Sequence, residues 1–571
     1  MCGIVGIVGN DFEANKTSEM LYVQKHRGPD YTEIWKDETC SLGHNRLAII
    51  DLSKDSNQPF IDNSERYVLV YNGEIYNYLE LKEELKYTYN FNTFSDTEVL
   101  IAAYLKWGKD CLHKLNGMFA FAIWDKKEKK MFAARDRFGV KPFYYTQKGS
   151  SLAFASEIKA LHKLKITAKA NKKVWANYFV YGSYGLPNET FYEAISQLPG
   201  GHYLEFQEEN IQINKWYNFE KEIKKYTTEE SFEIVKEKYT QLLTDSIRLR
   251  FRADVPVGFN LSGGLDSSTL LAFVNHVNQH KTNNIKAYTF YTDDERYDEL
   301  PWVEEMISLT NNSLQKIKLS FEDVEDFSKK IAYHQDEPYG GLPTIAYANI
   351  FKKAREHGTL VLLDGQGMDE QWAGYDYYLK SNNATIQGVK KSPFRPKVLS
   401  SEVFELAEKP TYPTPFNDEI LDKQYRDLFF TKIPRALRFN DRISMAHSTE
   451  LREPFLDYRL VEYAFAQPLE YKIKGGIQKY LLRDIVSEYL SDSITYAPKR
   501  PLQTPQREWL GNELKDFVTN EINKIEYSDF ATWFDIEQLK KEWDNYLEGD
   551  NQSSFHVWQW LNFSLLTNVY E

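Results

Sequence analysis

The second residue of the chain is a cysteine, and this position gives its thiol a chemistry that an internal cysteine lacks. The chain begins MCGIVGIVGN, and a residue as small as Cys2 permits removal of the initiator methionine. Removal would leave one residue with a thiol and a free α-amine, whose pKa values are close enough for the two groups to share a proton near neutral pH. Cys2 is therefore a candidate N-terminal nucleophile. A buried, unreactive cysteine is the alternative that position alone leaves open.

Short polar motifs follow Cys2 along the first part of the chain. They are HRGPD at 26–30, GHNRLAIID at 43–51, YNGEIYN at 71–77, SDTE at 95–98, NGMFAF at 116–121 and ARDRFGVKP at 134–142. In order and spacing these motifs resemble the class II glutamine amidotransferase domain, which is an N-terminal-nucleophile hydrolase. The resemblance implies that glutamine is a substrate.

The same resemblance implies a catalytic group around Cys2. Its thiol would attack the γ-amide of glutamine, and the oxyanion that forms would receive hydrogen bonds from the Asn72 side-chain amide and the Gly73 backbone N–H. An Asn-Gly pair alone is more often a simple turn. Its place within this series of motifs favours the catalytic interpretation.

The amino-acid end of glutamine also needs a binding site, and the resemblance implies one. Arg46 would bind the α-carboxylate, because a guanidinium group matches a carboxylate as a two-pronged fork. Glu74 and Asp96 would accept hydrogen bonds from the α-ammonium group. Each of these residues alone is more often a solvated surface charge, but together they favour a glutamine site.

A second motif, SGGLDSS at residues 262–268, has the residue types of a phosphate site. It follows an apolar run at 257–261 and precedes an apolar helical stretch. Backbone N–H groups in a glycine turn at a helix N-terminus attract pyrophosphate, and Asp266 can hold the Mg²⁺ that offsets phosphate charge. The motif is not GxxxxGK[ST], so kinase-type transfer of a γ-phosphoryl group is disfavoured. A plain glycine-rich turn is the alternative.

This motif resembles the pyrophosphate-binding loop of the adenylating ATP-pyrophosphatases, which form an acyl-adenylate and release pyrophosphate. Such folds bind ligands beyond the carboxyl ends of parallel strands. A second apolar run at 360–363 leads into DGQGMDE at 364–370 and would lie beside the first loop. Two of the expected ATP-binding residues, Leu261 and Phe290, would flank the adenine. The full set is Leu261, Ser262, Gly263, Gly264, Asp266, Ser267, Ser268, Phe290, Asp364 and Gly365.

The order of all these segments is similar to that of the glutamine-hydrolysing asparagine synthetase family over nearly the whole chain. The resemblance implies ATP and Mg²⁺ as cofactors, with Asp266 and Asp369 binding the metal. It also implies that Gln366, Asp369 and Lys479 act in forming the intermediate, with Lys479 near the phosphates. The implied reaction is amidation of a carboxylate with nitrogen from glutamine, joined by an internal route for ammonia.

The chain differs from this family in segments that the resemblance assigns to binding and activating the acceptor carboxylate. The family pattern Ser-Gly-Glu-Gly-x-Asp-Glu is DGQGMDE here, so Gln366 stands where the family has a glutamate. A neutral amide cannot act as a general base. The segment KRPLQ at 499–503 also differs from the family's lysine-x-glycine-phenylalanine pattern.

The acceptor therefore stays open between two carboxylates. Aspartate is the leading candidate and would give asparagine, glutamate, AMP and pyrophosphate. A different carboxylate, such as a sugar uronate in surface-polysaccharide synthesis, is the alternative. A third interpretation, a non-catalytic paralogue that senses glutamine, is disfavoured because the residues of both predicted sites are present.

The elements that must position these residues change in type along the chain. Residues 2–210 alternate short apolar runs with turn residues, which predicts a sheet-dominated α+β domain. A charged segment at 205–230 follows, and residues 225–571 combine long helical stretches with short buried strands, which predicts an α/β domain that ends in a helical region. The resemblance implies stacked antiparallel sheets in the first domain and a parallel sheet in the second.

Composition excludes several classes of partner. A net charge of −13 and a pI near 5.5 argue against a nucleic-acid surface. No apolar run approaches the roughly 20 residues that span a bilayer, and no secretory signal precedes the first motif, so the cytoplasm is expected. Three cysteines without a CxxC pair suggest neither a disulfide framework nor a zinc site. The expected partners are glutamine, ATP and a carboxylate, and a homodimer is left open.

Overall fold

The fold is taken from a computed structural model, which describes residues 2–226, 229–278, 285–379, 392–497 and 504–567. Its amino-terminal part contains twelve strands in the described residues. They are β1 (Gly3–Val8), β2 (Tyr31–Lys36), β3 (Cys40–Arg46), β4 (Phe60–Ile61), β5 (Tyr67–Ile75), β6 (Gly117–Asp125), β7 (Lys130–Arg135), β8 (Tyr144–Lys148), β9 (Ser151–Ala155), β10 (Ser196–Gln197), β11 (His202–Gln207) and β12 (Asn210–Lys215).

These strands form two stacked antiparallel sheets. Their orders are β10-β8-β9-β1-β3-β2 and β12-β11-β7-β6-β5-β4. Side chains alternate across each sheet because successive residues of a strand point to opposite faces. In β1, Ile4 and Val8 pack between the sheets, while Val5 and Ile7 pack on the outer, helix-covered face. This double burial explains the uninterrupted apolar run at the start of the chain.

The carboxy-terminal part contains one five-stranded parallel sheet with the order β15-β14-β13-β16-β17. A small antiparallel pair, β18 and β19, lies apart from it. The strands are β13 (Val257–Asn260), β14 (Lys286–Tyr291), β15 (Ser313–Lys318), β16 (Val361–Leu363), β17 (Glu450–Arg452), β18 (Ile473–Lys474) and β19 (Ile477–Gln478). Because β13 lies between β14 and β16, the loops that follow these three strands emerge side by side.

Helices cover both kinds of sheet and make up most of the chain after residue 400. The first six are α1 (Thr17–Val23), α2 (Tyr78–Leu85), α3 (Asp96–Trp107), α4 (Cys111–Lys114), α5 (Ile158–His162) and α6 (Lys172–Tyr181). The next seven are α7 (Phe219–Glu222), α8 (Phe232–Arg250), α9 (Leu265–Val277), α10 (Leu300–Ser308), α11 (Val324–Gln335), α12 (Gly341–Glu356) and α13 (Met368–Gln371). The remainder are α14 (Ser401–Glu405), α15 (Glu419–Phe429), α16 (Lys432–Ala446), α17 (Tyr458–Ala466), α18 (Leu469–Lys472), α19 (Tyr480–Val486), α20 (Asp492–Thr495), α21 (Gln506–Gly511), α22 (Lys515–Tyr527), α23 (Ile536–Leu547) and α24 (Phe555–Thr567).

The predicted fold class is confirmed: stacked antiparallel sheets precede a parallel sheet and a helical region. Two local features differ from the expectation. The charged segment at 205–230 contains β12, which pairs with β11 and extends the second sheet to Lys215. The mostly helical region after residue 400 also supplies β17 to the parallel sheet. Within the described residues, no helix has both the length and the apolar content needed to cross a membrane.

Two candidate active sites

Cys2 lies directly before β1, and its backbone is held on both sides. Its backbone nitrogen donates to Asn72 Oδ1 at 2.9 Å, and its carbonyl accepts a hydrogen bond from Arg27 Nε at 3.0 Å. The residue is 7% exposed. Burial raises the pKa of the Cys2 thiol, while the Leu47 backbone N–H and the Arg46 guanidinium lower it. The thiol therefore needs a base to become a nucleophile.

Asn72 and Gly73 lie on β5, next to Cys2. Because the Asn72 oxygen accepts from Cys2, its amide nitrogen points elsewhere, and this buried nitrogen has no hydrogen-bond partner in the described residues. An unsatisfied buried donor costs about 1–3 kcal/mol, so a substrate oxygen is the natural acceptor. At Gly73 an added Cβ would lie 2.1 Å from the Met118 carbonyl oxygen, so only glycine fits there.

The residues expected to bind the amino-acid end of glutamine lie around the same point. Arg46 ends β3, and its Nη1 donates to the Ser53 carbonyl at 2.6 Å, which fixes the guanidinium. Asp96 begins α3 and accepts from the Tyr71 hydroxyl and the Ile75 backbone N–H, each at 2.9 Å.

Glu74 completes this group from β5. It is buried, its Oε2 has no hydrogen-bond partner in the described part of the chain, and burial raises its pKa well above the ordinary value. The structure thus brings all six predicted residues of the first site together. The Leu47 backbone N–H is the one contact to the thiol that the sequence did not suggest, because a backbone donor has no signature in residue type.

The second site lies at the carboxyl ends of β13 and β16, where residues 262–267, 364–367 and 369–370 line one cavity of about 460 Å³ with Lys479. We call it the loop cavity. The loop at 262–268 is ordered by its own side chains: the Ser267 hydroxyl donates to the Ser262 carbonyl at 2.7 Å, and the Ser268 hydroxyl donates to the Gly264 carbonyl at 2.7 Å. The Gly263 backbone N–H donates to Glu299 Oε2 at 3.0 Å. These bonds hold the loop in one arrangement at the start of α9, with both hydroxyls and the Gly263 N–H engaged within the protein.

Lys479 joins the two loops of this cavity. Its ammonium lies 2.5 Å from Asp266 Oδ1 and 2.7 Å from Asp369 Oδ1. Both carboxylates thus converge on one positive charge. Mg²⁺ in ATP-using sites takes one or two carboxylates together with phosphate oxygens, so Asp266 and Asp369 fit a metal that arrives with the nucleotide. No cluster of three or more metal-binding side chains occurs among the residues that the structure describes.

A smaller cavity next to the loop cavity contains the residues expected to flank adenine. It is lined by Leu261 after β13 and Phe290 of β14, together with Tyr347 from α12. The Leu261 backbone N–H donates to the Tyr288 carbonyl at 2.8 Å, which ties the two strand ends together. The neighbouring strands therefore bring these two side chains to one place, as predicted from their positions at strand ends.

The third part of the second site follows β16. Asp364 is buried, burial raises its pKa, and its Oδ2 has no hydrogen-bond partner in the described residues. Gly365 approaches the Ser267 backbone, where an added Cβ would lie 3.4 Å from the nitrogen. Gln366 lines the loop cavity beside them. The segment 499–503, which also departs from the family pattern, lies outside the described residues.

Glu453 is a buried carboxylate at this place that the sequence-based site did not include. It directly follows β17, is 4% exposed, and neither of its carboxylate oxygens has a hydrogen-bond partner in the described residues. Burial raises its pKa well above the ordinary value, the nearby Asp364 adds to this, and the Gln366 backbone N–H opposes it. The sequence carries one sign of this site, since Glu453 is a charged residue within the run REPFLD at 452–457. The strand directly before it, β17, was not predicted.

Two buried ion-pair groups connect the two sites. Arg452 Nη2 lies 3.6 Å from Glu74 Oε1, which joins the end of β17 to the Cys2 site. Arg27, which donates to the Cys2 carbonyl, also contacts both oxygens of Asp441 on α16, at 2.9 and 3.1 Å. Buried charged contacts therefore join the Cys2 site to two elements of the carboxy-terminal part, β17 and α16.

Sequence comparisons relate both parts of the chain to known proteins. The glutamine amidotransferase domain family matches residues 1–217, and the asparagine synthase family matches residues 238–568. Asparagine synthetase (glutamine-hydrolyzing) 3 of Bacillus subtilis is 32% identical, with 88% of this chain and 86% of that protein covered. Asparagine synthetase (glutamine-hydrolyzing) 1 of the same organism is 30% identical, with 92% and 90% covered. Amidase chry2 of Gibberella zeae is 26% identical, with 89% and 88% covered.

Proposed function

The chain belongs to the glutamine-hydrolysing asparagine synthetase family of amidotransferase ligases, and on this basis we propose that it transfers ammonia from glutamine to a carboxylate activated by ATP as an acyl-adenylate. The products are glutamate, AMP, pyrophosphate and an amide. The observation that carries the proposal is that one chain contains both sites. Beside Cys2, the Asn72 amide nitrogen is a buried donor without a partner in the described residues. In the loop cavity, the Asp266 and Asp369 carboxylates converge on Lys479.

The first half-reaction takes place at Cys2 after removal of the methionine. The α-amine accepts the thiol proton, and the sulfur attacks the γ-carbonyl carbon of glutamine while Asn72 and Gly73 donate to the oxyanion. The carbon–nitrogen bond then breaks, and the amine returns the proton to the departing ammonia. Water hydrolyses the γ-glutamyl thioester to glutamate. Arg46, Asp96 and Glu74 hold the amino-acid end of the substrate.

The second half-reaction takes place in the loop cavity. An oxygen of the acceptor carboxylate attacks the α-phosphorus of ATP, the bond to the β-phosphate breaks, and pyrophosphate leaves. Backbone N–H groups at the start of α9 bind the pyrophosphate, together with the Gly263 N–H once it leaves Glu299. Mg²⁺ held by Asp266 and Asp369 would neutralise phosphate charge, and Lys479 adds a positive charge between these two residues. Ammonia then attacks the acyl carbon and displaces AMP.

Ammonia is expected to pass between the sites inside the protein. Ammonia released into water near neutral pH would largely become ammonium, which is not a nucleophile. The buried contacts of Arg452 with Glu74 and of Arg27 with Asp441 support a sealed interface through which it could travel. We further propose that the chain forms domains at 2–210 and 225–571, lies in the cytoplasm and assembles as a homodimer.

The two-site mechanism is tested by Cys2→Ala. The variant is expected to lose glutamine-dependent pyrophosphate release and amide formation, since it has no nucleophile for glutamine. With ammonium salts as the nitrogen source it is expected to retain the wild-type rate. Asp266→Ala gives the reverse pattern, with glutamate release intact and pyrophosphate release lost. If Cys2→Ala abolishes the ammonia-dependent reaction as well, the separation of sites is wrong.

Aspartate is the first candidate for the acceptor because it is the substrate that the family name implies. Gln366→Glu tests this candidate. If the acceptor is aspartate and Gln366 merely impairs the site, a carboxylate at this position raises the rate of asparagine formation. An unchanged or lower rate with aspartate favours the second candidate, a different carboxylate.

A further inference from the structure

A third cavity, larger than the two already described, has a volume of about 810 Å³ and adjoins the loop cavity. Its walls come from residues 180–189, 392–394, 409–414 and 419–438, and we call it the basic cavity. Lys432 and Arg435 line both cavities. They lie one turn apart at the start of α16, so this turn of helix separates the two spaces. A molecule in the basic cavity therefore meets the loop cavity at these two side chains.

The basic cavity has an excess of positive charge. Six of its lining residues are cationic and three are acidic: Lys409, Lys423, Arg426, Lys432, Arg435 and Arg438 against Glu189, Glu419 and Asp422. Glu419 is already paired with Lys423 at 2.7 Å, and Glu189 accepts from the Leu186 backbone N–H at 2.8 Å. Two more of the cations are paired with acids outside the lining: Arg426 with Asp427 at 3.0 Å and Arg438 with Glu337 at 3.1 Å. Arg435 and Lys409 have neither an ion pair nor a hydrogen bond in the described residues. The cavity thus favours an anionic ligand.

The aromatic residues of the cavity hold two of these cations in position. The guanidinium carbon of Arg435 lies 5.5 Å from the centre of the Tyr184 ring, and that of Arg438 lies 5.4 Å from the same centre. Cation–π contacts of this kind stabilise a charged group over a ring. Arg435 is therefore oriented at the junction without an acidic partner, which is the arrangement of a binding group. The other aromatic lining residues are Tyr181, Phe394, Tyr412 and Phe430.

The size of the basic cavity bears on the identity of the acceptor. Sites of roughly 300–1,000 Å³ suit ligands of drug or cofactor size, and 810 Å³ lies in the upper part of that range. Aspartate has only a few non-hydrogen atoms and would leave most of this space to water. It also brings one carboxylate besides the reacting one, whereas the cavity offers Lys409 and Arg435, which have no acidic partner in the described residues, together with Lys432. Both size and charge favour a larger anion.

We propose that the basic cavity binds the body of the acceptor, and that the acceptor is a polyanionic carboxylic acid larger than an amino acid. Its reacting carboxylate enters the loop cavity between Lys432 and Arg435, while its remaining anionic groups face the other cations. This inference rests on the proposed amidation and specifies its substrate class. Nucleotide-linked uronic acids and short oligomers of uronic acids share this chemistry.

The test measures pyrophosphate release by the full-length protein with ATP, Mg²⁺ and glutamine. The acceptors are aspartate, glucuronate, UDP-glucuronate and trigalacturonate, which separate a nucleotide-linked acid from an oligomeric one. We expect at least one of the last two to give an apparent KM about tenfold or more below that of aspartate. A charge-assisted hydrogen bond of about 1.5–3 kcal/mol corresponds to a factor of that size.

Arg435→Gln is expected to raise the KM of the preferred polyanion about tenfold or more. Arg435→Lys, which keeps the charge, recovers part of this loss. Lys353→Gln serves as the control, since this exposed lysine of α12 pairs only with Glu356 in the described residues, at 2.7 Å. Equal melting temperatures exclude misfolding. Preference for aspartate with no effect of Arg435→Gln overturns the inference but leaves the amidation intact. Absence of pyrophosphate release with every carboxylate overturns the proposed function itself.

Discussion

At the scale of single residues, Glu453 is the group whose environment demands an explanation. A buried carboxyl group without hydrogen bonds is costly, and such groups are concentrated at functional sites. Glu453 lies beside Asp364 and the Gln366 backbone N–H, behind the segment that lines the loop cavity, where the proposed reaction would bring ammonia to the acyl-adenylate. The neutral Gln366 amide cannot take the proton that the attacking nitrogen loses, but Glu453 can.

Glu453→Gln is therefore expected to lower amide formation by about 10²–10⁴-fold, the usual contribution of general acid–base catalysis. Burial raises the Glu453 pKa, and a base acts only when deprotonated, so the wild-type rate should rise with pH through that pKa. The variant should lose this rise. Pyrophosphate and amide are measured from pH 5.5 to 9. Glu462→Gln, which changes a buried carboxyl bonded to Tyr217 at 2.8 Å, is the control. An unaltered pH profile in Glu453→Gln contradicts a role as base.

The sequence identified the residues of the first site because each carries its chemistry in its type and order. Cys2, Arg46, Asn72 and Asp96 come from separate motifs, and the fold brings them together. Arg435 could not be found in this way. Its importance depends on an aromatic partner from a distant part of the chain, Tyr184, and on having no acidic partner in the part of the chain that the structure describes. Neither is visible in a local pattern.

At the scale of elements, the turn after α13 must pass unusually close to the charged centre of the loop cavity. A Cβ added at Gly374 would lie 2.0 Å from Asp369 Oδ1 and 2.2 Å from Lys479 Cε. Gly374→Ala is expected to displace both groups and to lower pyrophosphate release about 100-fold or more, a loss of about 2.7 kcal/mol in transition-state stabilisation. Glutamate release at Cys2 should persist. Gly358→Ala is the control for general destabilisation, because its φ of +75° strains an alanine although an added Cβ meets no neighbour within 4 Å. Equal losses in both variants would contradict this explanation.

The helix α18 ends in a lysine that the fold buries completely. Lys472 donates to the Phe465 carbonyl at 2.9 Å, and burial lowers its pKa to about 7. The unfolded chain keeps this proton up to about pH 10.4, so the native state gains stability between pH 7 and pH 10. The cost of burying the charged form is therefore greatest at pH 7 and below.

Lys472→Met removes this cost. The lowered pKa corresponds to about 4–5 kcal/mol, and the two lost hydrogen bonds, to the Phe465 carbonyl and to Gln424 Oε1, offset about 2 kcal/mol of it. At pH 6–7 the variant is therefore expected to be more stable than the wild type by about 2–3 kcal/mol. The gain should vanish near pH 10, where the wild-type lysine is neutral in both states. Denaturant unfolding at several pH values measures the difference, with the exposed Lys353→Met as the control. A gain that does not depend on pH would show that the charge of Lys472 is not its cause.

The sequence predicted those strands whose residues form a short apolar run. The apolar run at the start of the chain, the run before residue 262 and the run before residue 364 are strands in the structure. Strand β17 was missed because two of its three residues are charged. Glu450 and Arg452 are nonetheless buried, and they contact each other at 2.5 Å. Because these two charged residues lie on the same face of one strand and pair with each other, the strand shows no apolar pattern in the sequence.

At the scale of the whole molecule, α16 connects the chemistry of the two sites. Its first turn lines both the loop cavity and the basic cavity, and Asp441 farther along contacts Arg27, which holds the Cys2 carbonyl. Arg435 and Asp441 are separated by roughly 9 Å along the helix axis at 1.5 Å per residue. A shift of α16 on acceptor binding would therefore move Arg27 and, through it, the Cys2 carbonyl.

Asp441→Asn tests this connection with almost no change in shape. The wild-type side chain contacts two nitrogens of a fully buried guanidinium, and removal of its charge leaves Arg27 with Glu157, at 3.0 Å, as its remaining acidic partner in the described residues. Breaking a buried pair costs about 3–5 kcal/mol, part of which should appear as freedom at the Cys2 carbonyl. We expect the kcat/KM for glutamine to fall about tenfold or more, while ammonia-dependent amidation is retained.

The same variant should also lose communication between the sites. In the wild type, ATP and the acceptor are expected to stimulate glutamate release, and in Asp441→Asn that stimulation should be small. Glutamate and pyrophosphate are measured in one reaction, with and without the acceptor, below the melting temperature of the variant. Glu356→Gln, which breaks an exposed pair on α12, is the control because exposed pairs contribute little. A parallel fall of the ammonia-dependent rate would mean that Asp441 supports the fold in general, and full stimulation in the variant would mean that α16 does not couple the two sites.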